Sequence, residues 1–275
     1  MRDWIRKYQL VAFFVLSYAL MYGTLFGYML FVPGRPMEEW SLVWFLSVFS
    51  PTVSASVVSW SIGGFDEVKR LLSGFTRWNV GFRWYAAATF LLVGPLMIAL
   101  AYVALGNVPL GLAAGMTVPA LLFRVFTQLI AGPASEEAGW RGFALPRLEA
   151  KYSALRSSLI LGVIWTFWHL PLFFLTGQTQ VGIPLPFYLA LVVTLTVYMT
   201  WLYNNTRGSL VITTLAHWSF NLTGVLITGQ VSLMPANLFY MTASPLLLGV
   251  TIWVAFRFGT KQLARSPQAE LTTTG

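Results

Sequence analysis

Six ionisable side chains stand inside otherwise apolar sequence: Arg124, Glu136, Glu137, Arg141, His169 and His217, the last two being the chain's whole histidine complement. In a membrane helix each costs ~2.5–3.5 kcal/mol on insertion scales, so such a group faces a cavity or a partner. Glu137 and Arg141 are four residues apart and pair on one helical face, while Glu136 points about 100° away. Trp165 and His169 share the same spacing, as do His217 and Asn221. Pro171 is expected to kink the chain just past His169.

A carboxylate, two imidazoles and a carboxamide in one wet pocket suit hydrolysis of an amide. Glu136 can take a proton from water, and His169 can orient that water or hand the proton to the leaving amine. His217 and Asn221 can donate hydrogen bonds to a developing oxyanion, so no covalent nucleophile is required. Zn²⁺ held by Glu136, His169 and His217 is a second option, lowering the pKa of a bound water. The sequence has no HExxH, so such a site would be assembled from separate helices. Transport is the competing class, because intramembrane Glu and His also build proton relays. Polar packing between helices is the third. Arg124 has no sequence-local acid and is assigned a structural role, bonding to carbonyls or reaching a cavity.

The elements that must position these groups are membrane helices. The chain of 275 residues is 57% hydrophobic and 9% charged, too apolar for a soluble domain of this size. Eight apolar spans follow from the pattern: Tyr8–Phe31, Ser41–Ile62, Trp84–Leu105, Met116–Leu145, Ser157–Thr176, Leu185–Tyr203, Gly208–Thr228 and Leu238–Phe258. The first is too long, and lacks the small-residue site, for a cleavable signal. All Lys and Arg except Arg35, Arg124 and Arg141 fall before span one, at or after the end of span eight, or in alternate loops. That alternation predicts eight helices with both termini cytoplasmic, and it accounts for the +8 charge without nucleic acid. Lacking Cys, the chain has no disulfides, thiolate metal sites or cysteine nucleophiles.

The expected fold is therefore all-α: a polytopic integral membrane protein in the cell membrane of a prokaryote. Residues 1–258 form one membrane domain, and a polar, disordered cytoplasmic tail runs over 259–275. Phe65–Trp78 mixes basic and apolar residues and suits a helix lying on anionic lipid. Counting helical rise from the cytoplasmic ends puts Glu136, His169 and His217 at about 15, 18 and 14 Å, one shared level a little inside the cytoplasmic half.

Three strings, EEAGWRGFALPRL, SSLILGVIWTFWHLP and GSLVITTLAHWSFN, resemble in order and spacing the CAAX-protease and bacteriocin-processing family of intramembrane endopeptidases. The shared motifs are E-E-x-x-x-R (Glu136, Glu137, Arg141), an aromatic-x-x-x-H (Trp165, His169) and H-x-x-x-N (His217, Asn221). The resemblance covers residues 83–228; Trp165 stands where Phe is the family's commoner choice. It implies eight helices around a conical, cytoplasm-facing cavity. It also implies Glu136 with His169 activating water, His217 with Asn221 stabilising the oxyanion, and Glu137 with Arg141 as a supporting pair. The substrate implied is a membrane-associated protein or peptide, with prenylation and metal dependence both open.

Overall fold

The computed structural model describes residues 2–37, 41–106, 117–224 and 236–264, and among them the only regular structure is helical. After a short α1 (Arg2–Lys7), α2 (Gln9–Phe31) crosses without interruption. Its 23 residues rise about 34 Å, enough for a hydrocarbon core of about 30 Å. The second apolar span divides into α3 (Leu42–Val48) and α4 (Ser50–Gly63), bent by 60°. Pro51 explains the break: it has no N–H to continue α3, yet its fixed φ suits the first turn of α4. Ser41 Oγ caps α3 by accepting from Trp44 N at 3.2 Å.

Gly64, at φ 68°, turns the chain into α5 (Phe65–Leu72), a short surface helix whose Leu71 is buried. Then come α6 (Phe82–Ala104) and α7 (Val118–Leu129). An irregular stretch follows, with π turns over Ile130–Ala134 and Ala138–Ala144 around α8 (Ser135–Glu137), and closes in α9 (Leu145–Glu149). α10 (Ala154–Trp168) is followed by a 3-10 turn, Leu170–Phe173, then α11 (Leu185–Asn205), α12 (Leu210–Gly224) and α13 (Ala236–Phe258).

Three described helices are long and apolar enough to cross a membrane alone: Gln9–Phe31, Val118–Glu149 and Leu185–Asn205. The bent α3–α4 pair would make a fourth. Each of the eight apolar spans contains one of these helices or a shorter one, so the count of eight holds for apolar segments rather than for full-length spans. Outward-facing Val15, Leu30, Phe126 and Phe256 are left to lipid, since helices here bury their polar atoms inward.

The ends carrying the basic residues meet on one face. Arg2 Nε and Arg6 Nη2 donate to Ser61 O and Ile62 O at 2.9 and 3.0 Å, closing the open carbonyls of α4. Arg147 Nε reaches Gln9 Oε1 at 2.8 Å, Arg77 donates to Arg207 O, and Arg207 Nη2 donates to Asn79 O at 3.0 Å. The expectation of a free tail from Gly259 is corrected in its first residues. Lys261 O accepts from Ala154 N at 2.9 Å, Asn204 Nδ2 donates to Gln262 O at 2.8 Å, and Leu263 is fully buried. Residues 265–275 lie outside the described residues.

Candidate active site

The wall that carries the two glutamates begins with a break. Ala131 (φ −92°, ψ 76°) and Gly132 (φ 148°, ψ −94°) leave the helix, and Pro133 restarts it. Only glycine takes the Gly132 conformation without strain. Its freed N–H donates to Ser135 Oγ at 3.0 Å, and that hydroxyl donates back to Gly132 O at 2.9 Å. Past the break, α4 presses against the stretch carrying Glu136 and Glu137. A Cβ on Gly139 would sit 2.5–2.6 Å from Pro51, so glycine is what permits this approach.

The second wall is the end of α10. Pro171 has no N–H for Phe167 O, and Tyr22 Oη on α2 supplies the missing donor at 2.6 Å. Tyr18 Oη also donates, to Ile164 O at 2.5 Å. The last turn tightens, with His169 N on Thr166 O at 3.1 Å. Trp165 O is thereby left to receive the ring of His169, 2.8 Å from Nδ1. With Nδ1 protonated toward that carbonyl, Nε2 carries the lone pair. Trp168 and Tyr188 pack edge-on to the imidazole, at 4.8 and 5.7 Å between ring centres.

Glu136, His169, His217 and Asn221 all line one cavity of about 320 Å³. Glu136 Oε2 accepts two indole N–H groups, Trp165 at 2.8 Å and Trp140 at 3.2 Å. The Gly132 backbone passes beside Asn221 and Glu136: a Cβ there would lie 3.4 Å from Asn221 Nδ2 and 3.9 Å from Glu136 Oε1. Trp165 is the hub, its ring 5.6 Å from that of His169 and 5.0 Å from that of His217.

Glu137 and Arg141 are absent from this cavity's lining and fully buried behind it. Arg141 Nη1 donates to Glu137 Oε1 at 2.8 Å, as their spacing predicts, and its guanidinium stacks 4.3 Å over Trp165. The same Oε1 lies 3.0 Å from His217 Nδ1. Glu137 therefore fixes the ring of His217, a contact across 80 residues that the sequence does not announce. Trp140 was also missed, although its four-residue spacing from Glu136 was the readable signal. Arg124 lines the cavity, together with Gln128 on the same face of α7.

The cavity is lined by Trp44 early in α3, Tyr188 early in α11, His169 just past α10, and Gly224 closing α12. Phe13, Trp140, Phe143 and Leu145 are fully buried and do not line it. For the Zn²⁺ option, no three His, Cys, Asp or Glu side chains are gathered among the described residues so as to hold a metal ion. Glu136 Oε2 instead accepts two indole donors.

Residues 117–223 match the family described as Type II CAAX prenyl endopeptidase Rce1-like. The matched stretch runs from the cap of α7 into α12 and contains every group of the site. Over that stretch, which is less than half of the chain, the sequence is similar to the Rce1-like family. Over 133 residues it is 28% identical to CAAX prenyl protease 2 of Methanococcus maripaludis, an alignment covering 45% of this chain and 49% of that protein. The chain thus spans about half the length of the curated relative it matches. Together with helices long and apolar enough to cross a membrane, the match supports an integral membrane protein.

Proposed function

We propose that the protein is an intramembrane endopeptidase that cuts a membrane-associated protein or peptide by direct attack of water. The observation carrying this reading is the convergence of Glu136, His169, His217 and Asn221 on one cavity, with an anchoring partner for each of the first three.

Glu136 is held by Oε2 on two indoles, which leaves Oε1 toward the cavity as the base that takes a proton from water. General-base help of this kind is worth roughly 10²–10⁴ in rate. His169, protonated at Nδ1, offers Nε2 to orient the water and then to carry a proton toward the leaving amine. His217 gives Nδ1–H to Glu137, so its Nε2 donates to an oxyanion in the imidazolium form, which the Glu137 carboxylate supports electrostatically. Asn221 Nδ2 supplies a second oxyanion donor. The apolar shell strengthens each of these interactions relative to water. Phe13 packs on Trp140 and Phe143, with ring centres 5.4 and 5.1 Å apart, adding to the apolar shell.

The test is purified protein given membrane-embedded peptides, with products read by mass spectrometry. Internal cleavage is expected from the wild type, and none from His169→Ala or His217→Ala proteins that remain folded. Equal products from all three would overturn the reading. The carrier alternative draws no support from the matched family.

A further inference from the structure

A second cavity, of about 490 Å³, shares no lining residue with the first. Its size suits a small ligand. Its walls come from the last turn of α11 (Tyr203, Asn204), the end of α9 (Glu149), the first residue of α10 (Ala154) and the segment after α13 (Lys261, Gln262). That segment folds back over the helix ends: Lys261 O accepts from Ala154 N at 2.9 Å, and Asn204 Nδ2 donates to Gln262 O at 2.8 Å. Among the described residues, Arg207 (φ 55°) and Leu263 (φ 48°) are the only non-glycine residues in the left-handed region. Arg207 lines this cavity, and Leu263 lies between lining Gln262 and Ala264. Side chains disfavour that conformation, so it is held by outside bonds. Arg77 donates to Arg207 O, and Asn205 Nδ2 donates to Leu263 O at 2.8 Å.

Charge and depth point to one kind of ligand. Arg207 and Lys261 bring two exposed cations to the lining. Arg207 uses Nη2 on Asn79 O, and among the described residues Lys261 Nζ has no hydrogen-bond or ion-pair partner. Glu149 adds a carboxylate, whose Oε1 accepts from Asn204 Nδ2 at 2.7 Å. The 21 residues of α11 rise about 32 Å, close to the hydrocarbon thickness of a bilayer. Its end therefore lies at headgroup depth, whichever side of the membrane it faces. Tyr152 and Tyr203, also in the lining, belong to the residue type enriched at that boundary. We propose that this cavity binds a phospholipid headgroup, its phosphate between Arg207 and Lys261 and its ammonium or hydroxyl end on Glu149. A bare anion would be repelled by Glu149, whereas a headgroup with a donor beside its phosphate meets both signs of charge. The cavity also gathers the far ends of the elements that build the catalytic site. Glu149 closes the stretch carrying Glu136 and Glu137, Ala154 opens the helix leading to His169, and Gly208 precedes α12 with His217 and Asn221. A bound headgroup ties these ends together, independently of the hydrolytic reading.

The test titrates detergent-purified protein with short-chain phosphatidylethanolamine, phosphatidylglycerol, phosphatidylcholine and phosphatidic acid. Melting temperature is followed, and bound lipid is counted by native mass spectrometry. The ethanolamine and glycerol lipids should bind and raise the melting temperature more than the choline lipid, which has no N–H or O–H to give Glu149, and more than phosphatidic acid. Arg207→Gln with Lys261→Gln should weaken binding roughly 30-fold, and Lys261→Arg should retain it. If the double variant does not fold, Lys261→Gln alone, on an exposed side chain, decides with an expected loss of about five-fold. Lys7→Gln with Lys69→Gln removes two exposed cations outside the cavity and should leave binding unchanged. An equal loss there would show diffuse attraction to the surface and overturn the proposal. Glu149→Gln should bring phosphatidic acid level with phosphatidylglycerol; an unchanged order of preference would overturn the placing of the donor end. Inorganic phosphate and glycerol phosphate should not shift melting, and a shift equal to that of the lipids would overturn the lipid assignment in favour of a free phosphate compound.

Discussion

Replacing Glu137 by Gln keeps the side chain's size and removes its charge. The carboxylate oxygen Oε1 receives both Arg141 at 2.8 Å and His217 at 3.0 Å, at a position with no solvent exposure. Hydrogen bonds to a charged group contribute about 1.5–3 kcal/mol against 0.5–1.5 for neutral ones, so two weakened bonds account for roughly 2 kcal/mol. Arg141 would also be left a buried cation without its counter-ion, and breaking such a pair costs about 3–5 kcal/mol. Part of that is recovered because the amide oxygen still accepts and the Trp165 face still receives the guanidinium. The expected outcome is a loss of stability of about 2–4 kcal/mol. It should come with a fall in kcat of about 10²–10³, the value of one oxyanion donor, because a neutral amide no longer supports the His217 imidazolium electrostatically. Thermal unfolding in detergent reads the first and single-turnover cleavage reads the second. A Glu137→Gln protein with wild-type melting and wild-type turnover would refute the claim that this carboxylate holds His217 in place.

Other outcomes follow from the same geometry. Gly132→Ala forces a side chain into φ 148° and brings a methyl within 3.4 Å of Asn221 Nδ2; strain of about 1–3 kcal/mol is expected, with a larger loss in kcat than in KM. Asn221→Ala should lower kcat by about 10²–10³ with little change in melting, measured under saturating peptide. Trp165→Phe removes the 2.8 Å donor to Glu136 but keeps an aromatic face for Arg141; a drop in kcat of about 10–10² is expected from the loosened base, and an unchanged rate would assign that bond to packing alone. Gly139→Ala drives a methyl into the Pro51 backbone, and calorimetry should show about 1–3 kcal/mol of destabilisation.

Much of this architecture was legible because a bilayer simplifies the reading. Every apolar segment longer than a few turns had to be helical, and the basic residues marked which ends lie together. The Glu137–Arg141 pair followed from spacing alone. The Glu137–His217 contact did not. It depends on how α12 is rotated against the stretch carrying the glutamates, and in lipid a helix apolar on all sides gives no stripe to reveal its inner face. The Gly132–Pro133 dipeptide was a readable turn signal inside what looked like one continuous span. Its consequence, a backbone laid beside Asn221 and Glu136, was not readable.

The central claim is that Glu136 is the base that activates water. Its most direct test is turnover of a membrane-delivered peptide by Glu136→Gln, an isosteric change that still accepts from the Trp140 and Trp165 indoles. The account predicts intact folding, intact peptide binding and a rate reduced by at least about 10². Wild-type turnover with the same cleavage products would contradict it.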